Sequence, residues 1–200
     1  MSLILRPSFY CRNDVVQIAR ELLGKVLITQ MDGQITSGII IETEAYNGTI
    51  DRASHSYGGR KTKRTEIMYR KGGIAYIYLC YGIHSLFNIV TNHSGIPHAV
   101  LIRSIRPLEG KDVMLSRLKT GNINDEIGIG PGRVTKILGI HYTSSGHDLT
   151  KKPKVIDELG IWLEDRGHSY IQEDILTTPR IGVSYAGEDA LLPYRFLVKT

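Results

Sequence analysis

Residues 25–46 read KVLITQMDGQITSGIIIETEAY, two apolar, β-branched stretches on either side of Asp32-Gly33. A tight primed turn needs positive φ at both central residues, which Asp-Gly tolerates, so the stretch predicts a hairpin of strands 25–30 and 34–44. The second strand leaves its run Ile39-Ile40-Ile41 on the polar end Glu42-Thr43-Glu44-Ala45-Tyr46. Strand alternation puts Glu42 and Glu44 on one face and Thr43 on the other. Two like charges on one face are costly in a core. Either one carboxylate is paired or protonated, or the strand end borders a wet cleft where a general base is useful.

Upstream of the hairpin, Val15, Ile18, Ala19, Leu22 and Leu23 follow the helical period; Asn13 or Asp14 can cap that helix and Gly24 suits its exit. Downstream, residues 47–73 are polar and glycine-rich, with Arg60, Lys61, Lys63, Arg64, Arg70 and Lys71 set against Glu66, and read as a long functional loop. Strands are expected at 74–81 and 85–91 around a turn at Gly82, with Tyr76 and Tyr78 on one face, and again at 99–103. A helix over 107–118 with proline in its first turn, a polar connection over 121–128 and a second helix starting in 128–132 follow. After a polar surface loop over 141–154, short strands are expected near 161–164, 180–184 and 195–199. These elements predict one α+β (mixed α/β) domain over 1–200, a curved and largely antiparallel sheet flanked by helices, with a protruding β-hairpin.

Two hundred residues suffice for one sizeable core. The net charge of +5 favours a polyanionic partner, nucleic acid among the candidates. The apolar run at the N-terminus is stopped by Arg6-Pro7, too short for a signal segment, and no stretch of about 18 apolar residues could span a membrane; a cytoplasmic, nucleoid-associated protein is expected. Cys11 and Cys80 are the only cysteines, too few for an iron–sulfur cluster or an all-cysteine zinc site, and are expected as buried free thiols.

Glu42-Thr43-Glu44-Ala45-Tyr46 is followed by His55-Ser56, by Tyr78-Leu79-Cys80-Tyr81-Gly82 and by Asn88. Arg103, the run Arg106 to Gly110, Gly130-Pro131-Gly132 and the closing Gly182-Val183-Ser184-Tyr185-Ala186-Gly187-Glu188 come after them in order. In this order and spacing the chain resembles the alkyladenine (3-methyladenine) DNA glycosylase family over nearly its whole length. The resemblance implies a monofunctional base-excision repair enzyme. It would flip alkylated or deaminated purines from double-stranded DNA and hydrolyse the N-glycosidic bond, without metal or other cofactor; a monomer is expected, because recognition of an asymmetric lesion requires no symmetry.

By the same resemblance Glu44 activates the attacking water, and Tyr46, His55 and Tyr78 sandwich the flipped base. Asn88 obstructs the 2-amino group of guanine, Tyr81 intercalates at the hairpin tip, and Arg103 lies near the flipped nucleotide and its phosphate. The chemistry is reasonable: a 3-alkyladenine is already cationic, so one carboxylate suffices, whereas an O-glycosidase needs a second carboxyl group to protonate its leaving oxygen. Arg60, Lys63 and Arg64 would contact backbone phosphates, as would Gly130, Gly132 and Arg133 at a helix start. Glycine-rich helix starts also mark the helix-hairpin-helix glycosylases, but that superfamily's catalytic aspartate pattern is not evident. A non-catalytic DNA-binding module is the alternative. The chain departs from the family's pattern at Thr65, where asparagine is common, at His84 and Ser85, and in the loop 92–98.

Overall fold

The computed structural model describes residues 3–119 and 125–199. In chain order its elements begin with β1 (Leu3–Ile4), α1 (Pro7–Tyr10), α2 (Val15–Glu21), β2 (Val26–Met31) and β3 (Gln34–Tyr46). Then come β4 (Ile74–Cys80), β5 (His84–Thr91), β6 (His98–Glu109), α3 (Lys111–Leu118) and α4 (Pro131–Leu138). The chain ends in β7 (Gly160–Asp165), β8 (Ile175–Thr178) and β9 (Arg195–Val198). All strand pairings among the described residues are antiparallel, in the order β1-β7-β2-β3-β6-β5-β4, with β9 joining β3 and β8 joining β9.

The hairpin at Asp32-Gly33 forms as expected: both residues take positive φ, 52° and 71°, and Met31 pairs with Gln34. β3 is the longest strand, 13 residues, and holds three neighbours. Its first half pairs with β2, its end from Glu42 to Glu44 with β9, and its other edge with β6. Against β6 the register shifts three times, once between Ser37 and Gly38 and then twice in opposite senses: Ile40 faces Ile105 and Glu42 faces Ser104, then Thr43 faces Ile102. Ile41 is thus the extra residue on β3 and Arg103 the extra residue on β6. Bulges bend and twist a strand pair, and this pair of them curls the sheet where the two glutamates lie.

α2 begins at Asp14, whose carboxylate accepts from the Gln17 amide at 2.9 Å. It buries Val15, Ile18, Ala19 and Leu22 against the sheet, and the Ala19 carbonyl accepts from the Thr43 hydroxyl at 2.8 Å. The face of β3 opposite the glutamates is therefore pinned to a helix. α4 buries Val134, Ile137 and Leu138 in the same core, and burying each such side chain contributes about 1.5–3 kcal/mol.

Three expectations change. Residues 107–109 belong to β6, and the helix begins only at Lys111. Pro107 sits opposite Gly38 beside a register shift, a place where a strand tolerates proline, and Gly110 at φ 73° turns the chain into the helix. The segment 180–184 is not a strand; the strand is β8, just before it, and Ser184–Leu191 forms a 3-10 segment. The loop 47–73 is not all surface, because Asp51, Ser54, Ser56, Thr65 and Met68 are buried. Thr65 closes its basic turn: its hydroxyl accepts from the Thr62 amide at 2.8 Å and donates to the Arg60 carbonyl at 3.1 Å. Cys11 and Cys80 are free and half-buried. Of the connection expected over 121–128, residues 121–124 lie outside the described residues, and Asp125–Gly128 is a 3-10 turn.

A Cβ at Gly110 would stand 2.3 Å from the Ile35 carbonyl oxygen, in a backbone conformation that already disfavours side chains. Gly110→Ala is expected to lower stability by about 2 kcal/mol or more, read as a fall in the urea midpoint at unchanged m-value.

Candidate active site

Three segments converge at the C-terminal end of β3: the strand end with Glu42, Glu44 and Tyr46, the loop from Asp51 to His55, and the chain from Arg180 to Tyr185. The alternation of β3 brings both glutamates to one face, and the bulge at Arg103 aims its guanidinium at them. Arg103 Nε lies 3.0 Å from Glu42 Oε1, and its Nη1 lies 3.3 Å from Glu44 Oε1. Arg195, on the β9 strand that pairs with this end of β3, donates through Nε to Glu42 Oε1 at 2.7 Å. The Ser104 hydroxyl donates to the other Glu42 oxygen. Burial pushes the Glu42 carboxyl up, but the bonds from Ser104 and Arg195 and the charges of Arg103 and Arg195 outweigh it and hold the group below the usual carboxylate range. Both Glu42 and Glu44 are therefore paired, the first of the alternatives the sequence left open, and Glu44 also stands beside a cavity.

Glu44 is fully buried. Its Oε2 accepts from the Tyr46 hydroxyl at 2.8 Å, and its Oε1 accepts from the Ile181 amide at 2.7 Å. A carboxylate has about four lone-pair sites. These two hydrogen bonds take one site on each oxygen, Arg103 faces Oε1 as an ion pair, and one site on Oε2 is left for a further donor such as water.

Tyr46, Arg103 and Ile181, the three partners of Glu44, all line one cavity of about 180 Å³, which places the carboxylate directly behind its wall. His55, Tyr78, Asn88, Tyr81 and Tyr185 line the same cavity. His55 and Tyr78 meet edge to face with ring centroids 4.7 Å apart, so together they make one wall; Tyr46 lines the cavity from β3. Tyr76 lies stacked beside Tyr78, at 5.7 Å, and its hydroxyl is 2.9 Å from His55 Nδ1. Asn88 Nδ2 donates to the Tyr76 and Leu86 carbonyls at 3.1 and 3.3 Å, which locks the amide.

At the β4–β5 tip, the Ile83 amide donates to the Cys80 carbonyl and the central pair Tyr81-Gly82 takes φ of 51° and 72°. The turn leaves Tyr81 93% exposed, with Ile83 at 74% beside it. A large aromatic is thus held out in water at the mouth of the cavity, in a backbone conformation that disfavours side chains.

The basic residues are placed unequally. Arg60, Lys63 and Arg64 are exposed, and the Arg64 guanidinium lies 5.9 Å from the Tyr78 ring centroid. Arg133 is exposed on α4. The Gly130 amide donates to the Ser104 hydroxyl at 3.3 Å, and Gly132 packs beside the His84 ring. Arg103 is committed to the two glutamates. Sequence reasoning missed Arg180, Asp51, Ile181 and Arg195; an isolated arginine following Pro179 carries no periodic signal, and Asp51 looked like any polar loop residue. Among the described residues, no group of three or more His, Cys, Asp or Glu could hold a metal ion, and no helix is long and apolar enough to cross a membrane.

Burial and the nearby charges of Arg64 and Arg60 push His55 down to about 4, so its ring is neutral at neutral pH. Burial raises the phenols as well, Tyr76 to about 12 and Tyr46 well above its ordinary value. The His55 ring should titrate near pH 4 by NMR, and Arg64→Ala should raise that midpoint toward 6.5; a midpoint of 6.5 in the parent protein contradicts this account. Between pH 6.5 and about 4 the unfolded chain binds the His55 proton and the folded chain does not, so stability falls as pH drops through that window. His55→Gln should remove this part of the fall.

The sequence profile described as Methylpurine-DNA glycosylase (MPG) matches residues 8–200. A Chlamydia abortus protein that bears the name of a 3-methyladenine DNA glycosylase is 46% identical over 196 residues, which cover 98% of each chain. Proteins so named from Chlamydia felis and Desulfitobacterium hafniense are 45% and 39% identical, over 98% of this chain and 96% and 95% of theirs. The profile and these full-length relatives, together with the expectation carried by the Glu-Thr-Glu-Ala-Tyr motif, show that the chain belongs to the methylpurine-DNA glycosylase family and is a DNA glycosylase.

Proposed function

We propose that the protein excises alkylated or deaminated purines, of the 3-methyladenine type, from duplex DNA by flipping the damaged nucleotide into the cavity beside Glu44. One observation carries the reading: a buried carboxylate with one lone-pair site to spare lies behind an aromatic cavity, at whose mouth Tyr81 stands exposed.

Tyr81 enters the stack from the minor groove and fills the gap left by the extruded nucleotide, offsetting part of an unstacking cost of a few kcal/mol. The flipped base lies between Tyr46 and the wall of His55 and Tyr78. A neutral His55 presents its ring to a cationic purine without charge repulsion, and electron-rich faces attract it. Asn88, locked by two backbone bonds, cannot swing aside for the 2-amino group of guanine. Arg60, Lys63, Arg64 and Arg133 hold backbone phosphates without reading sequence, joined at the helix start by the Gly132 amide, the Gly130 amide being taken by Ser104, while Arg103 serves the flipped nucleotide from its place between the glutamates.

Water bound to Glu44 Oε2 attacks C1′ of the deoxyribose. Its proton passes to the carboxylate as the C1′–N bond breaks, and the base leaves with the bonding electrons. A cationic 3-alkyladenine departs neutral without an added proton, and the strand keeps an abasic site. The lesion is asymmetric, so a monomer suffices, and the work is done in the cytoplasm, at the nucleoid if the protein is bacterial.

Glu44→Gln should fold and bind lesion DNA yet release 3-methyladenine from methylated duplex at least about 100-fold more slowly under single-turnover conditions; release at the parent rate would sink the assignment. Tyr81→Ala should weaken binding to lesion duplex about tenfold or more, in line with 1–3 kcal/mol for an aromatic stacked on a base. Unchanged affinity, compared in the same salt, counts against the wedge.

A further inference from the structure

Behind the cavity lies a buried ion pair that the excision chemistry does not use. The side chains of Arg180 and Asp51 are 0% and 1% exposed. Arg180 Nη1 donates to Asp51 Oδ2 at 2.5 Å and to the Ala45 carbonyl at 2.9 Å; Nη2 donates to Asp51 Oδ1 at 2.9 Å and to the Asp189 carbonyl at 3.0 Å. Asp51 in turn accepts from the Asn47 amide at 2.9 Å and the Ala53 amide at 3.0 Å. The guanidinium carbon lies 4.9 Å from the Tyr46 ring centroid and 5.3 Å from that of Tyr194.

These contacts join the three segments that make the site. Ala45 sits between Glu44 and Tyr46, Ala53 lies two residues before His55, and Ile181, next to Arg180, gives its amide to Glu44. Stability alone is a poor reason for the arrangement, because a buried ion pair often stabilises no more than apolar side chains of the same volume. Arg180 Nε, moreover, finds no hydrogen-bond partner among the described residues. What apolar side chains could not do is tie the backbone of three segments together, through four hydrogen bonds to Ala45, Asn47, Ala53 and Asp189 and two between the side chains themselves.

We propose that Arg180, acting through Asp51, is a positioning residue that sets Glu44 and Tyr46 against the His55 wall and thereby governs the chemical step more than DNA affinity. Neither residue lines the cavity, so neither touches the base. The proposal rests on the glycosylase reading above.

The test measures two quantities on the parent protein and on Asp51→Asn, Arg180→Met and Arg180→Lys. One is the single-turnover rate of 3-methyladenine release from methylated duplex at saturating protein; the other is Kd for a duplex carrying a reduced abasic site. Displacements near 1 Å can cost about 100-fold in rate. Asp51→Asn and Arg180→Met are expected to lose at least about tenfold in rate with Kd within about threefold, and Arg180→Lys to recover part of the loss. Parent-like rates in both, or a rate loss matched by an equal loss of affinity, overturn the proposal. Should Arg180→Met fail to fold, the near-isosteric Asp51→Asn decides. A parent protein that releases no base at all strikes the glycosylase reading instead.

Discussion

One guanidinium held between two glutamates of the same strand is the interaction on which the rest of the structure depends. An ionised carboxylate taken out of water carries a penalty of several kcal/mol, and two on one strand face would also repel each other. Arg103 touches both, and Arg195 and Ser104 complete the bonding of Glu42. The cluster of two acids and two arginines can therefore sit at the end of the longest strand without unfolding it. The opposed slips of β3 and β6 leave Arg103 out of the ladder, where its side chain reaches both carboxylates.

From that anchor the elements around Glu44 follow. β9 is drawn to the end of β3 and brings Arg195, while α2 secures the opposite face through Thr43. The loop 47–73 folds inward far enough to bury Asp51 and set His55 beside Tyr78. The two glutamates differ in their surroundings. Glu42 takes three donors from Arg103, Arg195 and Ser104, whereas the partners of Glu44, namely Tyr46, Arg103 and Ile181, all line the cavity.

Much of this was legible in the sequence where the signal was local. Asp32-Gly33 announces its hairpin, the period of Val15 to Leu23 announces α2, and Tyr81-Gly82 announces an aromatic at a tip. The shared face of Glu42 and Glu44 follows from alternation alone. What could not be read was set by partners distant in the chain. Pro107 looks like a helix start until the register shift between Ser37 and Gly38 is found opposite it, an irregularity of the kind that tolerates proline in a strand. Arg180 looks like one more basic residue until Asp51, 129 positions away, is found against it. The aromatic residues His55, Tyr78 and Tyr46 were named through the order of motifs; no periodicity in the chain says that they share a hollow.

The tip of the β4–β5 hairpin has a thermodynamic consequence of its own. Tyr81 and Gly82 form a primed turn closed by the Ile83 amide on the Cys80 carbonyl, a compact backbone that carries the aromatic ring outward. In the proposed role as a wedge, a tip of this shape would surrender little conformational entropy on insertion, with only the two torsions of the ring left to freeze. Its association with a stack of bases should accordingly be limited by how readily the stack opens, and hardly at all by rearrangement of the protein.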